Sequence, residues 1–427
     1  MMMTGKIKEG YKETEIGIIP KEWDVKELGK IGCFKKGKGI KKDEIQSNGL
    51  PCIRYGEIYT TYNHVAHNIN SFINEETSRE SVSISKGEII FAGSGETIED
   101  IGKAVVYLNE EPCFVGGDTI IMKPNELVDS LYLSYFLSTK IVAKQKRKLG
   151  QGNSIVHLYV DGVRSINVVL PTNEEQQRIG EILSTTDAHI EKIDKTIEDY
   201  QLLKKGLMQK LLTEGIGHTE FKETEIGRIP KEWEVVKIKD ISKVVTGRTP
   251  PTNNKLLYGD DYPWVTPADI SDEPEIYVTE RMLSHEGFKS TTVNLPPNTL
   301  LITCIASIGK NAILRNEGSC NQQINAIFPD DSIFSVEYLY YWANQSKQYI
   351  EGFSAKTSIA ILNKSTFENI QVALPSLSEQ KEIAIMLTSI DCRIKLYQNE
   401  KSNFIQLKKS LMEKLLTGKI RVNNWIS

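Results

Sequence analysis

The chain has 427 residues, of which 40% are hydrophobic and 25% charged, with a formal net charge of −4. That length exceeds one ordinary core, so two or more domains are expected, and the composition excludes a disordered chain. Taken alone, the acidic balance counts against a nucleic-acid binder, because duplex phosphate is held by Lys and Arg, although an average can hide local basic patches.

The opening residues, MMMTGKIKEG, lack the apolar core of a signal peptide. The six cysteines, Cys33, Cys52, Cys113, Cys304, Cys320 and Cys392, contain no CxxC and no close pair. That spacing argues against structural zinc and a disulfide framework, and for a cytoplasmic protein with reduced thiols.

The first distinctive element is KETEIGIIPKEW, Lys12 to Trp23. A lysine cluster follows, Lys35, Lys36, Lys38, Lys41 and Lys42, with Gly37 and Gly39 among them. A charge run is usually just a solvated face; the glycines beside this one suggest an exposed loop, which shifts the balance somewhat towards phosphate contact. SVSISKGEIIFAGSG and AVVYLNEEPCFVGGDTIIMKP then alternate and turn as strands do. LVDSLYLSYFLSTKIVAKQKRK reads as an aromatic-rich amphipathic helix. Its tail holds a second basic run, Lys140, Lys144, Lys146, Arg147 and Lys148, followed by Gly150 and Gly152, and the same loop-and-phosphate reading applies.

Next, Thr172-x-x-Glu175 reads as a capping box after Pro171. It opens a long helix with apolar residues at Ile179, Leu183, Ile190, Ile193, Ile197, Tyr200, Leu203, Leu207 and Leu211, and Gly215 is its stop.

The chain then starts again. KETEIGRIPKEW, Lys222 to Trp233, repeats the dodecamer at eleven of twelve positions, 210 residues on. The segment from Val168 recurs from Val372 at an offset of 204, with a second capping box at Ser376-x-x-Glu379. The second helix carries Ile383, Leu387, Ile390, Ile394, Tyr397, Phe404, Leu407, Leu411 and Leu415, and Gly418 stops it. The stretches between diverge, apart from islands such as Ile101-Gly102-Lys103 against Ile308-Gly309-Lys310. FSVEYLYYWANQSKQYIEGF is the second aromatic helix. Tyr132, Tyr135, Phe136, Tyr338, Tyr341 and Trp342 are expected in the core. The longest apolar run, Leu300 to Ile308, holds Thr303 and Ser307 and is too short to span a bilayer.

About 40 helical residues at roughly 1.5 Å each make a rod of about 60 Å. A rod with one narrow seam needs a partner, and the other copy supplies one as an intramolecular coiled coil. The alternative is a pair of helices each packed on its own domain.

Catalytic sets are incomplete. Phe91-Ala92-Gly93-Ser94-Gly95 fits the glycine loop of S-adenosylmethionine-dependent methyltransferases, but no Asn/Asp-Pro-Pro-aromatic element accompanies it, and a tight turn explains it. Gly102-Lys103 and Gly309-Lys310 are not P-loops. His64-x-x-His67 reads as a surface pair rather than a metal site. Two divergent domains with two similar rods read as a recognition device.

In the order of its doubled signatures the chain resembles type I restriction–modification specificity subunits. The signatures are IGIIPKEW and IGRIPKEW, LPCIRYGEI (Leu50 to Ile58), TGRTPP (Thr246 to Pro251), the LP…EQ pair before each rod, and LMQKLLT with LMEKLLTG. The first half has KKGKGIKK where the second has TGRTPP.

The resemblance implies an α/β chain of two mixed α/β target-recognition domains joined by two long antiparallel helices in an intramolecular coiled coil, pseudo-twofold. The corresponding ranges are 11–171 and 221–375 for the target-recognition domains, and 172–220 and 376–427 for the helical spacers. It implies no catalysis and no cofactor in this chain. S-adenosylmethionine, with ATP and Mg for restriction, is expected on partner subunits. The implied partners are double-stranded DNA, two methyltransferase subunits and restriction subunits, with no membrane. Base edges are commonly read by Arg on guanine and Asn or Gln on adenine. The base-reading candidates are Arg54, Gln151, Asn153, Arg248, Asn321, Gln322, Gln323 and Asn325, and the phosphate candidates are Lys35, Lys36, Lys38 and Lys356. The competing readings are a coiled-coil adaptor that never touches DNA and a self-contained DNA methyltransferase.

Overall fold

The computed structural model describes residues 9–98, 101–150, 156–290, 293–355 and 360–422. The chain divides into two compact units, one of Met1–Asp194 with Glu400–Ser427 and one of Lys195–Asn399. Each long helix therefore contributes to both units.

In the first unit a five-stranded sheet runs in the order Gly32–Lys36, Thr119–Pro124, Ile89–Ala92, Ala104–Tyr107, Val65–Ala66. A four-stranded sheet has the order Ser71–Ile73, Leu50–Ile53, Cys113–Val115, Val82–Ile84. Alternation along the central strands sorts the core into two layers. Ile89, Phe91, Val106, Ile120 and Met122 join the cluster with the helical residues Tyr132 and Phe136. Ile90, Ala92, Val105, Tyr107 and Ile121 join the one with Ile53, Ile84 and Val115. Burial on both faces is why IIFA, Ile89–Ala92, reads as an unbroken apolar run rather than an alternating one.

The second unit repeats this plan. Its five-stranded order is Val244–Thr246, Ile324–Ile327, Thr299–Thr303, Asn311–Leu314, Glu275–Ile276, and its four-stranded sheet includes Tyr262–Val265 beside Ser319–Cys320. Leu300 and Ile302 face the layer of Tyr338 and Tyr341, while Leu301 and Ala312 face that of Val265 and Cys320. All six aromatics expected in the core are buried.

Each dodecamer is a hairpin followed by a buried tryptophan. Tyr11–Thr14 pairs with Gly17–Pro20, and Phe221–Thr224 with Gly227–Pro230. Trp23 and Trp233 sit beneath, both almost fully buried.

The rods span Asn173–Leu211 and Leu377–Leu415, 39 residues each. They start on their own domains, with Ile179 and Leu183 in one core and Ile383 and Leu387 in the other. Further along they pair. In the first unit Asp187 meets Lys408 and Asp194 meets Lys401, each at 2.5 Å, and His189 stacks on Phe404. In the second unit Lys204 meets Asp391 at 2.6 Å and Tyr200 lies against Tyr397. Numbers rise on one helix as they fall on the other, so the paired segments are antiparallel. Both sequence readings of the rods therefore hold, each over its own stretch. Gly215 and Gly418 end the rods with φ of 68° and 69°.

Four expectations need correction. The capping boxes are half made: the Glu175 and Glu379 N–H groups donate to the Thr172 and Ser376 hydroxyl oxygens at 3.4 and 3.3 Å, but the two carboxylates accept from tryptophan instead. Leu203 and Leu407, at equivalent positions, face solvent rather than the seam, because they fall off the stripe that the partner covers. Each aromatic helix is two: Ser130–Phe136 with Lys140–Leu149, and Val336–Gln345 with Lys347–Gly352. The second basic run is consequently helical, not a loop, and Lys146 is buried within it.

Candidate nucleic-acid interface

The edge strand of each five-stranded sheet ends in a glycine followed by a cation. In the first unit Gly37 N–H donates to Thr119 O at 3.0 Å and Lys38 N–H to Val115 O at 3.4 Å. In the second, Gly247 N–H donates to Ile324 O at 3.1 Å and Arg248 N–H to Cys320 O at 2.9 Å. A Cβ on Gly37 would fall on the Gly116 carbonyl, and one on Gly247 on the carbonyls of Cys320 and Asn321. Only glycine lets the strand come this close at either place. KKGKGIKK and TGRTPP are thus one feature in two spellings, with the side chains of Lys38 and Arg248 exposed.

The neighbouring loop follows the same register. Gly116 N–H donates to Ile53 O at 3.0 Å, and Asn321 N–H to Val265 O at 2.9 Å. One residue on, Arg54 N–H donates to a Glu57 carboxylate oxygen at 2.7 Å, and Thr266 N–H to that of Asp269 at 2.8 Å. Arg54 therefore stands where the second unit has Thr266.

Arg54 lines an open cleft of about 610 Å³ with Lys42, Tyr55, Glu57, Gly117 and Asp118. Its Nε is shielded from solvent, lies 3.8 Å from Glu57 and has no hydrogen-bond partner among the described residues. Ile40 and Asp118, on the rim, hold φ of 57° and 55°. Such left-handed non-glycine residues carry strain of the kind that collects at functional sites.

The remaining candidates are placed as follows. Lys35 and Lys36 lie on the edge strand; Lys35 Nζ donates to Ser83 O at 2.8 Å and sits 3.2 Å from Glu88. Asn321 is buried, accepts from Gln323 N–H at 3.0 Å and donates to the Gln323 side chain at 3.1 Å. Asn325 is fully buried and accepts from Thr246 Oγ1 at 2.7 Å. Gln322 is exposed and accepts from the Thr249 hydroxyl. Gln151, Asn153 and Lys356 lie outside the described residues.

Two polar devices hold each unit to its rods. Tyr135 donates to Asp187 at 2.7 Å while Lys408 pairs with the same carboxylate, and Tyr341, Asp391 and Lys204 repeat this, with 2.8 Å for the tyrosine. Burial, then the aspartate charge, pushes the Tyr135 phenol well above its ordinary range. The matched Asp187 and Asp391 were visible in the repeat, but nothing in it named the tyrosine as partner.

The second device is a clasp on each tryptophan. Trp23 Nε1 donates to Glu175 at 2.9 Å, and Arg421 closes on that carboxylate at 2.7 and 3.0 Å. Trp233 Nε1 donates to Glu379 at 3.0 Å, and there His218 Nε2 and Ile216 N–H complete the set, both at 2.9 Å.

His64 is half-buried rather than a plain surface residue as expected. Its ring packs on Tyr135 at 4.4 Å, its Nδ1 is shielded, and burial, helped by the Lys408 charge, lowers its pKa to about 4. His67 stays exposed.

The profile of the type I restriction modification DNA specificity domain matches residues 20–199 and 230–407, both halves of the repeat. The chain belongs to this family. It is a specificity subunit, the non-catalytic member of its system. A putative type I restriction enzyme MjaX specificity subunit from Methanocaldococcus jannaschii is 29% identical over 97% of each chain. The MjaIX specificity subunit of the same organism is 38% identical over 46% of this chain and 45% of its own. The fold is similar to that of a type I restriction-modification S subunit from M. genitalium, with a TM-score of 0.60, 15% identity, and coverage of 97% of this chain and 98% of that one.

Proposed function

We propose that each target-recognition domain of this specificity subunit reads one half of a split DNA site, and that the paired rods fix the gap and dock two methyltransferase subunits. The chain contributes address rather than chemistry: S-adenosylmethionine, and ATP with Mg for restriction, belong to the partner subunits. The observation that carries this reading is the repeated glycine–cation edge. Two units with one backbone plan present different side chains on the same frame, as two readers of different half-sites would.

The base-reading set is Arg54, Gln151, Asn153, Arg248, Gln322 and Gln323, supported by Asn321 and Asn325, and the phosphate set is Lys35, Lys36, Lys38 and Lys356. Asn321 and Asn325, being buried, act by shaping the loop that carries Gln322 and Gln323.

The test is selection of bound duplexes from a random pool by the full chain assembled with its methyltransferase partner. A bipartite motif of constant spacing is expected. Replacing residues 25–169 by the same segment of a relative should exchange one half of that motif only. Removing four residues from each rod, around Ile193 and Tyr397, should shorten the spacer by about two base pairs, since four helical residues span roughly 6 Å. Absence of any selected sequence would leave the chain an adaptor and overturn the proposal.

A further inference from the structure

The two units provide an internal comparison that sorts these contacts. Positions matched by register and alike in charge suit what the two half-sites share, the sugar–phosphate backbone. Positions matched by register and unlike in chemistry suit what differs, the bases.

Lys38 and Arg248 belong to the first class. Both follow a glycine that no other residue can replace, both anchor their N–H on the equivalent carbonyl, Val115 or Cys320, and both are exposed. Everything about the backbone there is preserved and so is the positive charge. The guanidinium and the ammonium differ in shape, and a bidentate contact depends on that shape, whereas a point-charge contact to a phosphate accepts either.

Arg54 belongs to the second class. Its counterpart Thr266 carries no charge, while the carboxylate that receives the backbone N–H, Glu57 or Asp269, is kept. The frame is common and the side chain projected from it is not. Arg54 also lies in the cleft of about 610 Å³, beside a strained rim, its shielded Nε paired with the Glu57 charge at 3.8 Å but without a hydrogen bond among the described residues.

From this comparison we infer that Lys38 and Arg248 are equivalent phosphate anchors, one per half-site, and that Arg54 is a base-reading determinant of the first half-site alone. This rests on the proposed function and moves Arg248 from the base-reading set to the phosphate set. Arg54 is matched by its donors to an acceptor-rich edge such as that of guanine.

The experiment uses the full chain with its methyltransferase partner, duplex selection, and titration of selected and scrambled duplexes over a salt series. Lys38→Ala and Arg248→Ala should each weaken every duplex by a similar factor, roughly threefold to tenfold. They should leave the motif unchanged and lower the salt slope by about one unit. Arg248→Lys should keep both the motif and most of the affinity. Arg54→Thr should relax a single position of the first half-site and leave the second half-site as it was.

A changed motif in Arg248→Ala or Arg248→Lys, or undiminished affinity in either alanine variant, overturns the anchor assignment. An unchanged motif in Arg54→Thr overturns its reading role while the bipartite motif of the parent chain stands. If the parent chain selects no motif, the proposed function falls and this inference with it.

Discussion

The two tryptophan clasps share a frame and differ in the group that closes it. In the first unit the buried Glu175 carboxylate has the Trp23 indole and the Arg421 guanidinium, which also reaches Glu22 at 2.5 Å. In the second, Glu379 has the Trp233 indole, the Ile216 backbone N–H and the His218 ring, with Glu232 3.6 Å from His218. The carboxylate and the indole come from the repeated segments, whereas the closing group comes from residues after the rods that do not align. A buried carboxylate demands donors, not a particular residue, and each half found its own.

The difference has consequences that can be ranked. Arg421→Ala leaves Glu175, whose side chain is fully buried, with one donor, and the expected cost is about 3–5 kcal/mol to the first unit. His218→Ala leaves Glu379 two donors, so its cost should be smaller, about 1–3 kcal/mol. Hydrogen exchange of the amides in 11–23 and 221–233 measures both. Equal losses would show that donor count does not govern the clasp.

The next contrast is Lys146 against Lys347, the side chains beside Gly102 and Gly309. Lys146 is fully enclosed, donates to Gly102 O at 2.6 Å and Leu137 O at 3.0 Å, and burial lowers its pKa to about 7. Lys347 is half exposed. Above about pH 7 the folded chain sheds the Lys146 proton while the unfolded chain holds it up to about 10.5, so the first unit gains stability as pH rises through that window. Between pH 7 and 9 the gain should be roughly 2 kcal/mol and absent in Lys146→Met. Urea unfolding of the two proteins at both pH values decides this; parallel curves would place the titration elsewhere.

A smaller effect should be of similar size in both halves. Tyr135→Phe and Tyr341→Phe each remove a hydrogen bond to an aspartate that keeps its lysine, at about 1–2 kcal/mol, and Tyr341→Phe also removes the longer bond to Thr388 at 3.2 Å, so its loss should be slightly the larger. Thermal unfolding with the larger loss in Tyr135→Phe would break the equivalence of the two triads. The smallest effect belongs to Leu203→Gln and Leu407→Gln in the isolated chain. Both residues face solvent, and changes within about 0.5 kcal/mol are expected in the same melts.

Much of this was legible in advance. Repetition of the dodecamer and of the rod segments disclosed the duplicated plan, because framework residues with the same job are spelled alike. Period-2 and period-3.6 patterns located the first unit's strands within 81–95 and 104–124, both rods and the aromatic cores, since apolar spacing follows backbone geometry. The interface was less legible. Glycine-cation loops spelled KKGKGIKK and TGRTPP share only two matched positions, and their equivalence emerges from which carbonyl each N–H meets. Glu175 and Glu379 looked like capping residues because local spacing cannot reveal a tryptophan 152 or 146 residues away.

The amino-acid sequence by itself determined the duplication and the length of the rods, which rest on local periodicity and repeated spelling, and its doubled signatures carried the resemblance to the family. Tertiary structure decided which carboxylates cap and which bind indoles, which lysine of a basic run is enclosed, and which residue in one half answers to which in the other. Those depend on groups far apart in the chain meeting in a shielded space, where an unpaired donor or charge is costly. Such costs are set by neighbours in three dimensions and leave no period in the sequence.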